Sequence, residues 1–253
     1  LKLMRKIYNF VTFIYNFIST FLENFILKNN KKLSNNEFSN KGFCKINDIK
    51  YVELNNNETS ILNVNKYYNR IILSKLELKR LINLIFIESD IIKKITNTTG
   101  FNYSVDFFTA YETSSIEKND KNENWYANKP HRDLPFSKNT IKLIIPLHKI
   151  TLQDGPMKIL NKQKSLHFRL DDNANFESVT CDINEAFLFN PNICYHYATS
   201  PNLDRKRKQM MFQLNPSRKW SVNKNLNKIQ SHREPKFPFF SYLFSIKKKL
   251  NLA

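Results

Sequence analysis

Hydrophobic and polar positions follow different rhythms in successive parts of the chain. From Lys2 to Leu27 the rhythm is helical: Lys2, Arg5, Lys6, Asn9, Thr12, Asn16, Ser19, Thr20, Glu23 and Asn24 share one side, and Phe, Tyr, Ile and Leu fill the rest. This predicts a strongly amphipathic helix. Asn9, Asn16, Glu23 and Asn24 interrupt the apolar run, so the pattern is not that of a membrane span. It also lacks the unbroken apolar core and small-residue cleavage site of a secretion signal. Its apolar face is expected either to pack on the rest of the domain or a second subunit, or to lie on a membrane surface.

Residues 29–36 are Lys- and Asn-rich and read as a linker. Glu37 to Ile46 then reads as the end of a helix, a stop at Gly42 and an entering strand. Asn55 to Ser60 reads as a polar loop. A second helix begins at Ser74, where Ser74-Lys75-Leu76-Glu77 has capping-box spacing. Its apolar positions, Leu78, Leu81, Ile82, Ile85, Ile92 and Ile95, run on until Gly100 closes the segment.

After Gly100 the period shortens. Tyr103 to Tyr111, Thr140 to Ile145, Ala186 to Phe189, Ile193 to Tyr197 and Gln209 to Leu214 all read as strands. Short strands separated by polar, Pro- or Gly-bearing turns predict an all-β sandwich or barrel. The turn Gln153-Asp154-Gly155-Pro156 uses one of only three glycines, which marks a backbone position that needs one. The expected organisation is therefore a helix and linker over 1–36, a β domain over 37–217 and a basic, aromatic tail over 218–253.

Composition changes this picture in two ways. The formal net charge of +18 ordinarily points to nucleic acid or anionic lipid. Here Asn, Lys, Ile, Phe and Tyr are abundant throughout and the basic residues are spread thinly, apart from Arg205–Lys208 and Lys247–Lys249, so most of the excess reads as compositional. Three cysteines, Cys44, Cys181 and Cys194, show no paired metal spacing and suit a reducing compartment. A cytoplasmic protein is expected, with peripheral contact to an anionic membrane through its termini; nucleic acid is not an expected partner.

The candidate chemistry lies in Pro130-His131-Arg132-Asp133 and, far downstream, His196 and Arg207. On a strand, residues two apart point the same way, so His131 and Asp133 can face one ion with Arg132 turned out. Two imidazoles and one carboxylate occupy one face of iron(II) and leave positions open for small ligands. Arg207, eleven residues after His196, begins the last strand and can form a bidentate pair with a carboxylate. Arg205 is its nearest rival but belongs to the preceding turn. His148 and His232 read as structural or exposed, and His167 as a residue that could shape the site.

From about Phe38 to Pro216 the order of these pieces resembles the phytanoyl-CoA dioxygenase family of iron(II)/2-oxoglutarate oxygenases. The similar pieces are Gly42-Phe43-Cys44-Lys45-Ile46, His131-Arg132-Asp133, the strand from Thr140 to Pro146, Asp154-Gly155-Pro156-Met157, Glu185 to Pro191, and Arg207 to Phe212. The resemblance implies a mainly β fold with flanking α-helices around a double-stranded β-helix (a cupin-like jelly roll). It implies His131, Asp133 and His196 on iron(II) and Arg207 on the 2-oxoglutarate cosubstrate, with dioxygen as oxidant and succinate and carbon dioxide as products. Tyr111 and Lys142, on strands flanking the metal pair, are further candidate cosubstrate contacts. Members of the family often carry Ser or Thr two residues beyond the distal His, where this chain has Ala198. The adjacent Thr199 is kept as a candidate although strand parity turns it away. Where the family often has Pro-Gly-Ser-His, this chain reads Asn161-Lys162-Gln163-Lys164-Ser165-Leu166-His167. Hydroxylation of a small-molecule or lipid-like substrate is the expected outcome. A jelly-roll binding protein without turnover and a nucleic-acid-directed oxygenase are the alternatives.

Overall fold

A computed structural model describes residues 2–28, 36–117, 120, 127–133, 137–170, 173–222 and 226–230. Its strands are β1 (Phe43–Ile46), β2 (Thr59–Asn65), β3 (Tyr68–Leu73), β4 (Asn102–Ser114), β5 (Ile141–Pro146), β6 (Lys158–Ile159), β7 (Glu177–Ser178), β8 (Ala186–Phe189), β9 (His196–Tyr197) and β10 (Lys206–Ser217). They form a large sheet in the order β1-β8-β5-β10-β4-β3-β2 and a small one in the order β7-β6-β9. Every pairing between them is antiparallel. From β4 onward the chain crosses repeatedly from one sheet to the other, which winds it into a double-stranded β-helix. The expected mainly β jelly roll with flanking helices is the fold.

The central strands of the large sheet, β8, β5, β10 and β4, are largely buried on both faces, so they read as continuous apolar runs with a few polar insertions. Alternate side chains separate into two cores. Ile141, Leu143, Ile145, Met210, Phe212 and Leu214 face the helices, while Ile144, Phe187, Phe189 and Met211 face the small sheet. The helical layer is α3 (Lys75–Ile82), a π-helical stretch over Asn83–Glu88, and α4 (Ile91–Thr99). Phe86 meets Phe212 edge-on at 5.2 Å between ring centres, locking this layer to β10.

Several expectations are met in detail. The short helix α2 (Glu37–Lys41) ends at Gly42, whose φ of 82° is left-handed, and β1 follows at once. Gly155 has φ 63°, and a Cβ there would collide with the backbone of Ser200 and Pro201. The Pro156 end of that turn therefore approaches the chain after His196 as only glycine allows.

Other expectations are corrected. The helix from Ser74 to Gly100 is broken, because Glu88-Ser89-Asp90 ends its first part. Ser89 Oγ donates to the Leu84 carbonyl and accepts from Lys50 N, and Asp90 takes φ 54°. Short polar side chains compete with the helix ladder in this way. Ser74 Oγ does accept from Glu77 N, but Glu77 does not reach back as a capping box requires. Its carboxylate binds Arg80 and accepts from Asn55 N instead. The hairpin of β2 and β3 was not expected, because β2 is an Asn-rich edge strand with almost no buried side chains and hence no apolar alternation. The strand expected from Ile193 to Tyr197 shrinks to β9, since Asn190 Oδ1 accepts from the amides of Asn192 and Ile193 and holds them in a turn.

The amphipathic helix forms as α1 (Lys2–Ile26), but its orientation overturns the expected packing on the domain. Thr12, Tyr15, Ser19 and Glu23 are buried, whereas Phe10, Phe13, Phe17, Phe21 and Phe25 are exposed. The polar side faces the domain because what it meets there is polar: Asn192, Lys138 and Asn139 bond to Asn16, Thr20 and Glu23. Most of the expected linker (29–35) and of the tail, including His232 and Lys247–Lys249, lies outside the described residues. Two further short helices among the described residues are α5 (Lys162–His167) and α6 (Leu226–Ile229).

Candidate metal centre

His131 and His196 are direct cross-strand partners. His131 N donates to the His196 carbonyl (3.1 Å) and His196 N to the His131 carbonyl (3.0 Å), so a short segment before β5 adds to the edge of β9. Such a pair projects both side chains from the same face. Two residues on, Asp133 N donates to the Pro191 carbonyl (2.8 Å), which returns its side chain to that face. Arg132, between them, turns out and lies over the Tyr195 ring at 4.6 Å. The expected parity of this stretch is therefore observed.

The ligand atoms of His131, Asp133 and His196 all lie within 4.8 Å of one another. Asp133 Oδ1 is 3.5 Å from His131 Nε2 and 3.8 Å from His196 Nε2. Each imidazole directs its Nδ1 at a main-chain carbonyl, of Lys129 (2.8 Å) and of Cys194 (3.0 Å). A neutral imidazole that donates from Nδ1 presents the Nε2 lone pair, so both rings are set in the metal-binding tautomer. Burial pushes His196 down to about 4, with Asp133 partly opposing, so this ring stays neutral at physiological pH. Phe189 packs edge-on against it at 5.0 Å.

Asp133 is held in one orientation by Lys142 of β5, whose Nζ lies 2.5 Å from Oδ2. That contact occupies the outer oxygen and leaves Oδ1 for the centre. Burial raises the Asp133 carboxyl, but Lys142, His196 and His131 outweigh it and hold the group below its ordinary value. The donor set is thus two imidazole nitrogens and one carboxylate oxygen, which fits a divalent transition metal with open positions on its other side.

Above the triad is a cavity of about 200 Å³ between the two sheets. Tyr111, Lys142, Arg207 and Gln209 supply its polar wall, and Ile144, Met157, Phe189 and Met211 its apolar wall. The wall follows from strand parity: Arg207, Gln209 and Met211 alternate along β10, and Gln209 is paired with Tyr111 across to β4. Arg207 is buried at 1% exposure and donates to the Thr199 carbonyl (3.1 Å) and the Thr113 hydroxyl (3.5 Å). Gln209 Nε2 donates to the Tyr111 hydroxyl. Lys142 and Arg207 give the cavity two cationic groups against one carboxylate.

The structure brings His131, Asp133, His196, Arg207, Tyr111 and Lys142 to one cavity. Thr199 lies apart: its hydroxyl donates to the Pro156 carbonyl (2.6 Å), while Ala198 lines the cavity. Arg205 pairs with Asp154 (3.2 Å), and Lys206 and Lys208 pair with Glu112, so this basic run is partly neutralised. His148 Nε2 accepts from Lys208 N, and His167 lies on α5 by a separate surface depression. Gln209 was missed, although it stands two residues from Arg207 and so on the same face of one strand. The Asp133–Lys142 pair was also missed, because nothing local links the two positions.

No family model and no curated protein matches the sequence. Solved structures with a similar fold include the non-heme alpha ketoglutarate dependent epimerase SnoN from nogalamycin biosynthesis (12% identity, 71% of this chain and 80% of that one, TM-score 0.49). HygX from Streptomyces hygroscopicus, with nickel and 2-oxoglutarate bound, is similar at 11% identity over 71% of this chain and 85% of that one, TM-score 0.45. The non-heme alpha ketoglutarate dependent carbocyclase SnoK is similar at 12% identity over 79% and 90%, TM-score 0.47. The chemistry of the centre follows from its own residues.

Proposed function

We propose that this chain is an iron(II)- and 2-oxoglutarate-dependent oxygenase of the phytanoyl-CoA dioxygenase type, hydroxylating a small-molecule or lipid-like substrate. One observation carries this reading. Two Nε2 atoms and Asp133 Oδ1 converge in a cavity that the cationic Arg207 and Lys142 also line. The imidazoles and carboxylate would hold iron(II), and the cationic wall suits a dicarboxylate. When bound, the iron and 2-oxoglutarate supply dioxygen activation and oxidation of a substrate C–H bond, with succinate and carbon dioxide released.

The residues have separable tasks. Arg207 fixes the distal carboxylate by its guanidinium, and the Gln209–Tyr111 pair braces the same wall. Lys142 orients Asp133, and Ile144, Met157 and Met211 keep water from the reacting side. Placing charged groups on rigid neighbouring strands means that little reorganisation is needed when ligands bind.

Anaerobic titration with iron(II) and 2-oxoglutarate tests this by the weak visible charge-transfer band of the chelate. The wild type should develop the band, and His131→Ala and His196→Ala should abolish it. A wild type without the band, or alanine variants that keep it, would sink the proposal. Arg207→Ala should keep iron binding but weaken 2-oxoglutarate by about 10–150-fold, the equivalent of one lost charged hydrogen-bonding partner.

A further inference from the structure

We propose that α1 is a docking element for an anionic lipid surface, fixed to the catalytic domain by its polar side. This does not depend on the proposed chemistry. Five phenylalanines, Phe10, Phe13, Phe17, Phe21 and Phe25, are 63–83% exposed along one side of the helix, accompanied by Ile14 and Ile18. Phenylalanines alone at that exposure present roughly 700 Å² of apolar surface. That exceeds the largest patch of a typical monomer, about 300–600 Å². No helix among the described residues is long and apolar enough to cross a membrane, so the arrangement is that of a helix lying along a surface.

Two features favour lipid over a second copy of the chain. The exposed face spans roughly half the helix circumference, wider than the narrow stripe of a helix–helix seam. From Phe10 to Ile26 the exposed positions are apolar except for Asn24 and include no charged residue, so nothing on this face would set a register with another helix. Charge is complementary as a property of the whole chain: although the basic residues are spread thinly, forty Lys and Arg stand against twenty-two Asp and Glu. An anionic leaflet attracts such a protein before its apolar face engages.

The polar side explains why the helix stays on the domain when the apolar side is engaged. Asn16 donates to Asn192 Oδ1 (2.8 Å), and Asn192 in turn donates to the Asp133 carbonyl (3.1 Å). Thr20 Oγ1 accepts from Lys138 N (2.9 Å). The docked helix therefore braces the chain that carries a metal ligand.

Vesicle flotation with the full chain tests the proposal. The wild type should float with mixed phosphatidylcholine–phosphatidylserine vesicles, and Phe13→Ser/Phe17→Ser/Phe21→Ser should reduce the floated fraction by at least roughly tenfold. Because these side chains are exposed, the triple variant should melt at the same temperature as the wild type. Phe10→Ser/Phe25→Ser, on the same face, should show a weaker loss of flotation. A wild type that stays at the bottom, a triple variant that floats equally, or equal flotation with phosphatidylcholine alone overturns the proposal. So does a vesicle-independent dimer, seen by sedimentation velocity, that the triple variant abolishes.

Discussion

The helical layer on the large sheet and the N-terminal helix are both amphipathic, yet they meet the domain by opposite faces. In α3 and α4, Leu78, Leu81, Ile82, Ile91 and Ile95 are buried against the back of the sheet. In α1, Thr12, Ser19 and Glu23 are buried and the phenylalanines are not. The spacing of apolar residues reveals that a helix has two faces, but the surface it meets decides which one turns in. The back of the sheet offers Leu143, Ile145 and Phe212, whereas α1 meets loop amides and side chains next to the candidate metal centre.

This contrast can be broken most strongly on the sheet side. Phe86 is fully buried between Phe212 and Trp220, and Phe86→Ala should cost about 3–5 kcal/mol of unfolding free energy. A urea midpoint unchanged from the wild type would show that the helical layer is not the source of stability.

A smaller effect belongs to Glu23. Burial raises its carboxyl to about 7, with Ser137 and Asn139 opposing, from an ordinary value of 4.5. The docked state holds the proton more tightly than the undocked state, so docking weakens as pH rises from 4.5 through 7 and levels off above. The loss is up to about 3 kcal/mol, and Glu23→Gln should flatten it. Hydrogen exchange of the α1 amides against pH reads this directly, after correction for intrinsic exchange; protection that grows with pH would contradict it.

Asn16→Ala removes the side-chain hydrogen bond to Asn192 and should loosen α1 by at least about 1 kcal/mol in the same exchange measurement. Smallest of all, Phe17→Ser should change the stability of the vesicle-free protein by less than about 0.5 kcal/mol. A large loss of melting temperature in Phe17→Ser would mean that the apolar face is covered by protein after all.

Much of the candidate metal centre was legible because its parts are local. His131 and Asp133 are two apart on an extended segment, and Arg207 opens a strand with Gln209 on the same face. His196 follows a turn made by Asn190. Thr199 was kept as a candidate contact against its strand parity, and the structure sides with parity: its hydroxyl binds the Pro156 carbonyl, away from the cavity. Lys142 was legible as a candidate cosubstrate contact on a strand flanking the metal pair, but not as the partner of Asp133. Its pairing with Asp133 depends on how the small sheet lies over the large one. The break at Ser89 was hidden because the apolar spacing continues across it, and the β2–β3 hairpin because an exposed edge strand needs no apolar pattern.

By itself the sequence determined the β-rich middle, the glycine turns at Gly42 and Gly155, and the types and spacing of the candidate metal-ligating side chains. These follow from backbone sterics, strand period and the chemistry of imidazole and carboxylate, all of which act over a few residues. Only the tertiary structure decided that His131 and His196 are cross-strand partners, that Lys142 holds one oxygen of Asp133, and that α1 turns its polar side inward. Those outcomes depend on which surfaces meet, because burying a polar group requires a partner that only a distant segment supplies.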